Sequence, residues 1–127
     1  MHRSRLFGLF IDTPAADTPA AAKFWAGAFG TTAQPVPGEE EFIALHDAFP
    51  GLAVDVQAVD DAPRYHLDIE SDDVAAEAAR LLSLGATLVA DHGGHQTLRA
   101  PGGHLLCVVP IQSDPRLFDA EARSWPA

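Results

Sequence analysis

Leu9-Phe10-Ile11-Asp12 leads into a helix-like stretch that stops at Phe29-Gly30-Thr31-Thr32, and Leu67-Asp68-Ile69-Glu70 leads into a second one that stops at Leu84-Gly85-Ala86-Thr87. Short runs of strand character follow each passage. Ile11 maps onto Ile69 with an offset of 58 and Gly30 onto Gly85 with an offset of 55. The difference is a three-residue insertion, which the Thr13–Asp17 loop absorbs, because loops tolerate added length. The order strand, helix, three strands, written twice, predicts two similar modules that build one cavity between them.

Working outward, Arg5 to Asp12 alternates and reads as a strand closed by Pro14. Thr18 is the expected N-cap of the first helix, with Pro19 at its first position and Gly30 as its left-handed stop. Ala21, Phe24, Trp25, Ala28 and Phe29 follow helical spacing and define its expected buried stripe. Strands are expected at 32–36, 42–46 and 52–59, with 35–41 as a hairpin loop. After a hinge at Asp60-Asp61-Ala62-Pro63, Arg64 to Glu70 is a strand and Ser71 or Asp72 the expected cap of the second helix. Val74, Ala78, Leu81 and Leu82 form that helix's expected stripe, with Asp72 and Asp73 favourable at its positive end. Strands follow at 87–91, 96–99 and 104–109. Asp114-Pro115 opens an expected terminal helix through Arg123, with Leu117, Phe118 and Trp125 docking on the body.

The chain has 127 residues, enough for one domain or for two half-size modules sharing a core. Its formal charge of −10 disfavours nucleic acid and anionic membrane surfaces, which both demand surplus Lys and Arg. No apolar run is long enough for a membrane-spanning helix, and Met1-His2-Arg3-Ser4-Arg5 carries no apolar signal pattern, so no signal segment is expected. The single cysteine, Cys107, has no internal disulfide partner, so a cytoplasmic setting is the expectation.

Arg64-Tyr65-His66-Leu67-Asp68-Ile69-Glu70, then a capped helix, Leu84-Gly85-Ala86, and Leu98-Arg99-Ala100-Pro101-Gly102-Gly103-His104-Leu105-Leu106-Cys107 closely resemble the second half of a glyoxalase-like domain. This is a domain of the vicinal oxygen chelate superfamily. Phe24-Trp25 and Ala28-Phe29-Gly30 resemble its first half more loosely. The resemblance spans roughly residues 5 to 111. It implies an α+β fold of two βαβββ modules whose strands form a curved, cup-like mixed sheet flanked by helices. One domain over residues 1–127 is expected, with module one at 5–59, module two at 64–111 and a tail at 112–127. Members of the superfamily include glyoxalase I, extradiol dioxygenases, fosfomycin-resistance transferases, epimerases and metal-free bleomycin-sequestering proteins, so fold alone does not choose a reaction.

Alternation places the candidate site. Leu67 and Ile69 are expected under the helix, leaving His66, Asp68 and Glu70 on the opposite face. The repeat puts Gly8, Phe10 and Asp12 on the matching face of the first strand. An offset of 52 aligns Asp55 with Cys107, with Gln57 beside Asp55. The ligand-binding candidates are therefore Phe10, Asp55, Gln57, His66, Leu105 and Cys107, with Phe42 and Tyr65 as further apolar walls. The catalytic candidates are His66, Asp68 and Glu70, with Asp12 as a further carboxylate, although such charges commonly sit at a strand-end rim.

The resemblance implies divalent-metal ligands on these strands. His66 stands at a ligand position, its repeat mate is Gly8, and Cys107 replaces the usual Glu. No metal is favoured. If one binds (zinc, manganese or iron), its set is His66, Cys107 and Asp55 or Gln57. His92-Gly93-Gly94-His95, with His104 nearby, is a weaker chelating pattern, and Trp25 and Phe24 read as core or subunit contacts before ligand stackers. The expected function is a glyoxalase-like small-molecule-binding protein or an enzyme of unassigned reaction, working as a homodimer. The alternative is a metal-dependent lyase, isomerase or dioxygenase.

Overall fold

The computed structural model describes residues 1–126. It contains β1 (His2–Pro14), α1 (Thr18–Phe29), β2 (Ala33–Val36), β3 (Glu39–Leu45) and β4 (Ala53–Val59). The pattern then returns as β5 (Arg64–Ser71), α2 (Val74–Ser83), β6 (Thr87–Asp91), β7 (Gln96–Arg99) and β8 (Leu105–Pro110). The chain closes with α3 (Pro115–Glu121) and β9 (Arg123–Trp125). The class is α+β with two βαβββ modules. No helix among the described residues is long and apolar enough to cross a membrane.

The described residues form two compact units, one of residues 8–66 and one of residues 1–7 with those from Leu67 onward. In the 8–66 unit the strands run in the order β2-β3-β4-β1, with β1 and β4 parallel and the others antiparallel. Ile11, Val54 and Val56 face α1, against Ala22 and Ala26, with Ala21, Trp25 and Phe29 along the flank. The buried row is thus displaced from the expected one, and Phe24 is exposed. Alanines at i and i+4 let the helix lie close to the sheet, and the bulky rings take the edges. Thr18 is the first helical residue instead of the cap, and its hydroxyl donates to Pro14 O. The reason is a three-residue 3-10 turn at Ala15–Asp17 that feeds directly into the helix. That turn has the length of the insertion between the two repeats.

In the other unit the order is β5-β8-β7-β6, with β5 and β8 parallel. Ala78 packs on Leu98 and Val108, with Val74 and Leu81 beside it. Leu82 lies outside this stripe and is exposed. The α2 cap is Asp73, whose side chain accepts from Ala76 N; Asp72 instead takes Arg3 N and Arg3 Nε. The terminal helix is shorter than expected. It ends at Glu121, and Arg123–Trp125 pairs antiparallel with His2–Ser4. Phe118 docks as expected and is buried. Leu67 is 41% exposed, contrary to the expectation that it lies under the helix, because α2 covers β7 and β8 instead.

The two registers carry the repeat. Phe10 lies opposite Asp55 in the β1/β4 pair, and Asp68 lies opposite Cys107 in the β5/β8 pair. These pairs differ by the offsets of 58 and 52 read from the sequence.

Candidate functional site

Within the 8–66 unit, Val54 and Val56 point at α1, so Asp55 and Gln57 point away from it. Their parallel-register partners Phe10 and Asp12 share that outward face. His66 joins them from β5. Its ring lies flat on Phe10, with centroids 4.9 Å apart and planes 9° apart. Phe10 in turn meets Phe42 edge-on at 5.9 Å. The stack restricts imidazole rotation and leaves its in-plane nitrogens to define direction.

The imidazole Nδ1 is 2.8 Å from Asp12 Oδ2, and the His66 side chain is 11% exposed. Arg64 Nε donates to the same oxygen at 3.0 Å, and Arg64 Nη1 reaches Asp61 at 2.7 Å. Asp12 itself is 1% exposed, and its Oδ1 is buried with no hydrogen-bond donor among the described residues. A carboxylate only accepts, so in this contact Nδ1 carries a proton. The arrangement is a carboxylate-oriented imidazole, able to move a proton or to present Nε2 as a ligand atom.

Sequence reasoning placed Phe10, Asp12, Asp55, Gln57 and His66 on one face. It did not foresee the Asp12–His66 bond or Arg64 as a participant. The missed signal was the first residue of β5 being an arginine while the matching carboxylate sits near the end of β1.

The remaining candidates belong to the other unit. Asp68 is buried and lies beside Cys107 in register, and Cys107 Sγ is 3.5 Å from Thr97 Oγ1. Leu105 opens β8 opposite Arg99. Glu70 is fully buried and accepts from Arg5 Nη1 at 2.9 Å, Gln112 N at 2.8 Å, Ser113 N at 3.0 Å and Ser113 Oγ at 2.5 Å. Burial alone would raise its carboxyl, but the bonds from Ser113, Gln112 and Arg5 outweigh it and hold the pKa below the ordinary range. Glu70 thus anchors the tail. Asp12, Asp68 and Glu70 are buried groups, not the rim charges such strand-end carboxylates commonly form. His92 and His95 stack at 4.4 Å, and His92 Nε2 meets Thr97 Oγ1 at 3.0 Å. No third His, Cys, Asp or Glu among the described residues completes a ligand group around them.

A family model described as Glyoxalase-like domain matches residues 8–109. No curated protein matches the chain. Among solved structures, methylmalonyl-CoA epimerase from Mycobacterium tuberculosis is 17% identical, with a TM-score of 0.59 over 84% of this chain and 88% of that one. A single-residue variant of Streptomyces coelicolor methylmalonyl-CoA epimerase, in complex with 2-nitronate-propionyl-CoA, is 16% identical, with a TM-score of 0.58 over 86% of this chain and 98% of that one. A Legionella pneumophila structure described as an NAD-dependent benzaldehyde dehydrogenase is 10% identical, with a TM-score of 0.59 over 83% and 98%. At these identities the likeness is one of fold.

Proposed function

The chain belongs to the glyoxalase-like domain family, and from that premise we propose that it binds a small molecule at a site built around His66, as a binding protein or as an enzyme of unassigned reaction. The observation that carries this reading is the Asp12–His66 bond on a ring stacked against Phe10. A buried carboxylate with one oxygen shared by an imidazole and a guanidinium is costly to desolvate, and fixing the imidazole's direction is a use for that cost. Asp12 holds Nδ1 and Phe10 sets the plane, so the imidazole is presented to a ligand in one fixed orientation. Asp55 and Gln57 extend the same face with acceptors and one amide donor. Phe42 supplies an apolar wall, as small-molecule sites require.

A metal-dependent lyase, isomerase or dioxygenase is the second reading. Its support is the donor chemistry. Nδ1 of His66 is engaged by a carboxylate, as in ligating histidines. Imidazole and carboxylate donors suit zinc, manganese or iron. The metal would polarise a substrate oxygen. We further propose a homodimer, supported by exposed Phe24, Leu84 and Leu88, and a cytoplasmic setting, supported by one cysteine without a disulfide partner.

The test is thermal stabilisation and product analysis with catechol, S-lactoylglutathione and methylmalonyl-CoA, each with and without zinc, manganese or iron(II). A shift that disappears in His66→Ala supports the site. Product formed only with metal, together with stoichiometric metal lost in His66→Ala, selects the second reading. Shifts that persist unchanged in both His66→Ala and Asp12→Asn overturn the assignment.

A further inference from the structure

The helix α1 carries a single charge, Lys23, and is otherwise built from Thr18, Pro19, alanines, Gly27 and three aromatic residues. A helix apolar on every side is normally covered on every side. Its inner side is covered, because Ala22 and Ala26 pack against Ile11, Val54 and Val56. Its outer side is bare: Ala20, Lys23, Phe24 and Gly27 recur there at helical spacing and are all exposed. Phe24 is 63% exposed and meets Trp25 edge-on with centroids 5.1 Å apart, and Trp25 meets Phe29 at 5.5 Å. The projecting ring is therefore braced by rings that flank the core, a form that suits an interface anchor. Gly27 lies within the helix, where glycine weakens it, yet a Cβ at that position would meet nothing in its own fold. The close approach of another backbone supplies the reason that its own subunit does not.

Charge says which partner fits. The 8–66 unit holds nine acidic side chains against two basic ones, Lys23 and Arg64. Two such copies repel wherever their carboxylates face each other. The α1 helix contains no acid, so there they can meet without like charges opposed. Arg64 is committed to Asp12 and Asp61. Lys23 makes no ion pair among the described residues, and neither does Asp17, whose side chain leaves the N-cap of the same helix unbonded. One face thus presents one cation, one anion, a ring and small residues, and it is complementary to itself when reversed.

We propose that the outer face of α1 docks on the same face of a second copy of this chain, with the two helices antiparallel about a two-fold axis. An axis at the level of Ala22 sets Phe24 of each copy over Ala20 of the other and brings Gly27 to the start of the other helix. Lys23 then stands about one turn along the axis from Asp17 of the second copy, within a lysine's reach, and symmetry makes that pair twice. The antiparallel alignment also sets the positive end of each helix beside the negative end of the other. The face is about 18 Å long and falls short of the roughly 800 Å² per partner of a stable interface, so the dimer dissociates in the micromolar range. This inference rests on the homodimer proposed above and names its surface.

The experiment is sedimentation equilibrium from about 2 to about 400 µM, with thermal unfolding of each variant as the check on its fold. The wild type self-associates with a Kd of about 10–100 µM. Phe24→Asp and Gly27→Leu each weaken the dimer at least about tenfold, and the open surroundings of Gly27 keep the second variant informative if the first disturbs α1. Lys23→Asp and Asp17→Lys each weaken it about threefold, and the two combined recover the wild-type affinity to within about twofold. Leu82→Asp, at an exposed apolar position on α2, leaves the dimer intact. A dimer unchanged in both Phe24→Asp and Gly27→Leu, or lost in Leu82→Asp alone, or a charge swap that recovers nothing, overturns this face and leaves the homodimer standing. A wild type that stays monomeric at about 400 µM overturns both, and gives the face to a different partner.

Discussion

Removing the Glu70 carboxylate is expected to cost more than any surface change, and its magnitude follows from four bonds. Oε1 accepts from the main-chain N–H groups of Gln112 and Ser113, while Oε2 accepts from Arg5 Nη1 and Ser113 Oγ. The Arg5 side chain is itself nearly buried. Glu70→Ala removes the counter-charge facing the Arg5 guanidinium and the acceptor of two main-chain N–H groups and a hydroxyl. Breaking a buried pair by deleting one partner costs about 3–5 kcal/mol. Against a typical stability of about 5–15 kcal/mol this is a large fraction, and at this chain length it lowers Tm by roughly 10–20 °C. Glu70→Gln keeps an oxygen for the two N–H groups but loses the counter-charge, so it costs less, about 2–3 kcal/mol. The acid limb separates the electrostatic part. The Glu70 carboxyl titrates below its ordinary value in the fold, so the unfolded chain binds its proton first as pH falls. Its contribution is fully present above about pH 4.5 and is lost as pH drops through the lowered folded value. Urea unfolding from pH 7 to pH 3 should therefore show a shallower pH dependence in Glu70→Gln than in the wild type. A Glu70→Ala loss under about 1 kcal/mol, or an unchanged acid limb in Glu70→Gln, refutes the reasoning.

Glu77, fully buried and bonded by His2, Ser4 and twice by Arg80, also titrates low: burial would raise it, and the bonds from Arg80, Ser4 and His2 prevail. Glu77→Gln should cost about 2–4 kcal/mol at pH 7 by denaturant titration and converge toward the wild type below about pH 4. Gly8→Ala places a Cβ 2.8 Å from Ala53 O and 3.1 Å from the Phe10 ring, so about 1–3 kcal/mol of strain is expected in the same assay. Trp125→Ala removes the ring beneath Arg80, 3.7 Å from its centroid, and the indole bond to Ser4, and should loosen β9 enough to raise amide exchange at His2 to Ser4. Asp12→Asn should change the 15N signature of the His66 ring, because the amide no longer dictates which nitrogen keeps the proton.

Two kinds of information meet in this chain. Periodicity and punctuation are local, so the order of elements, the repeat with its offsets of 58 and 52, and the sidedness that put Phe10, Asp12 and His66 on one face were all legible in the residues alone. Those features depend on neighbours a few residues away, where alternation and helical spacing act directly. The Asp12–His66–Arg64 cluster joins residues more than fifty positions apart, and no spacing rule encodes such a meeting. The same holds for the tail. Arg123–Trp125 carries no strand pattern of its own and becomes β9 because His2–Ser4 offers an edge to pair with. Alternation makes Glu70 a candidate on the cup face, but nothing local in the sequence signals that Glu70 and Glu77 are fully buried, since a charge is normally solvated. Their burial is tolerated only because the folded chain brings arginines, hydroxyls and main-chain donors to them from distant positions.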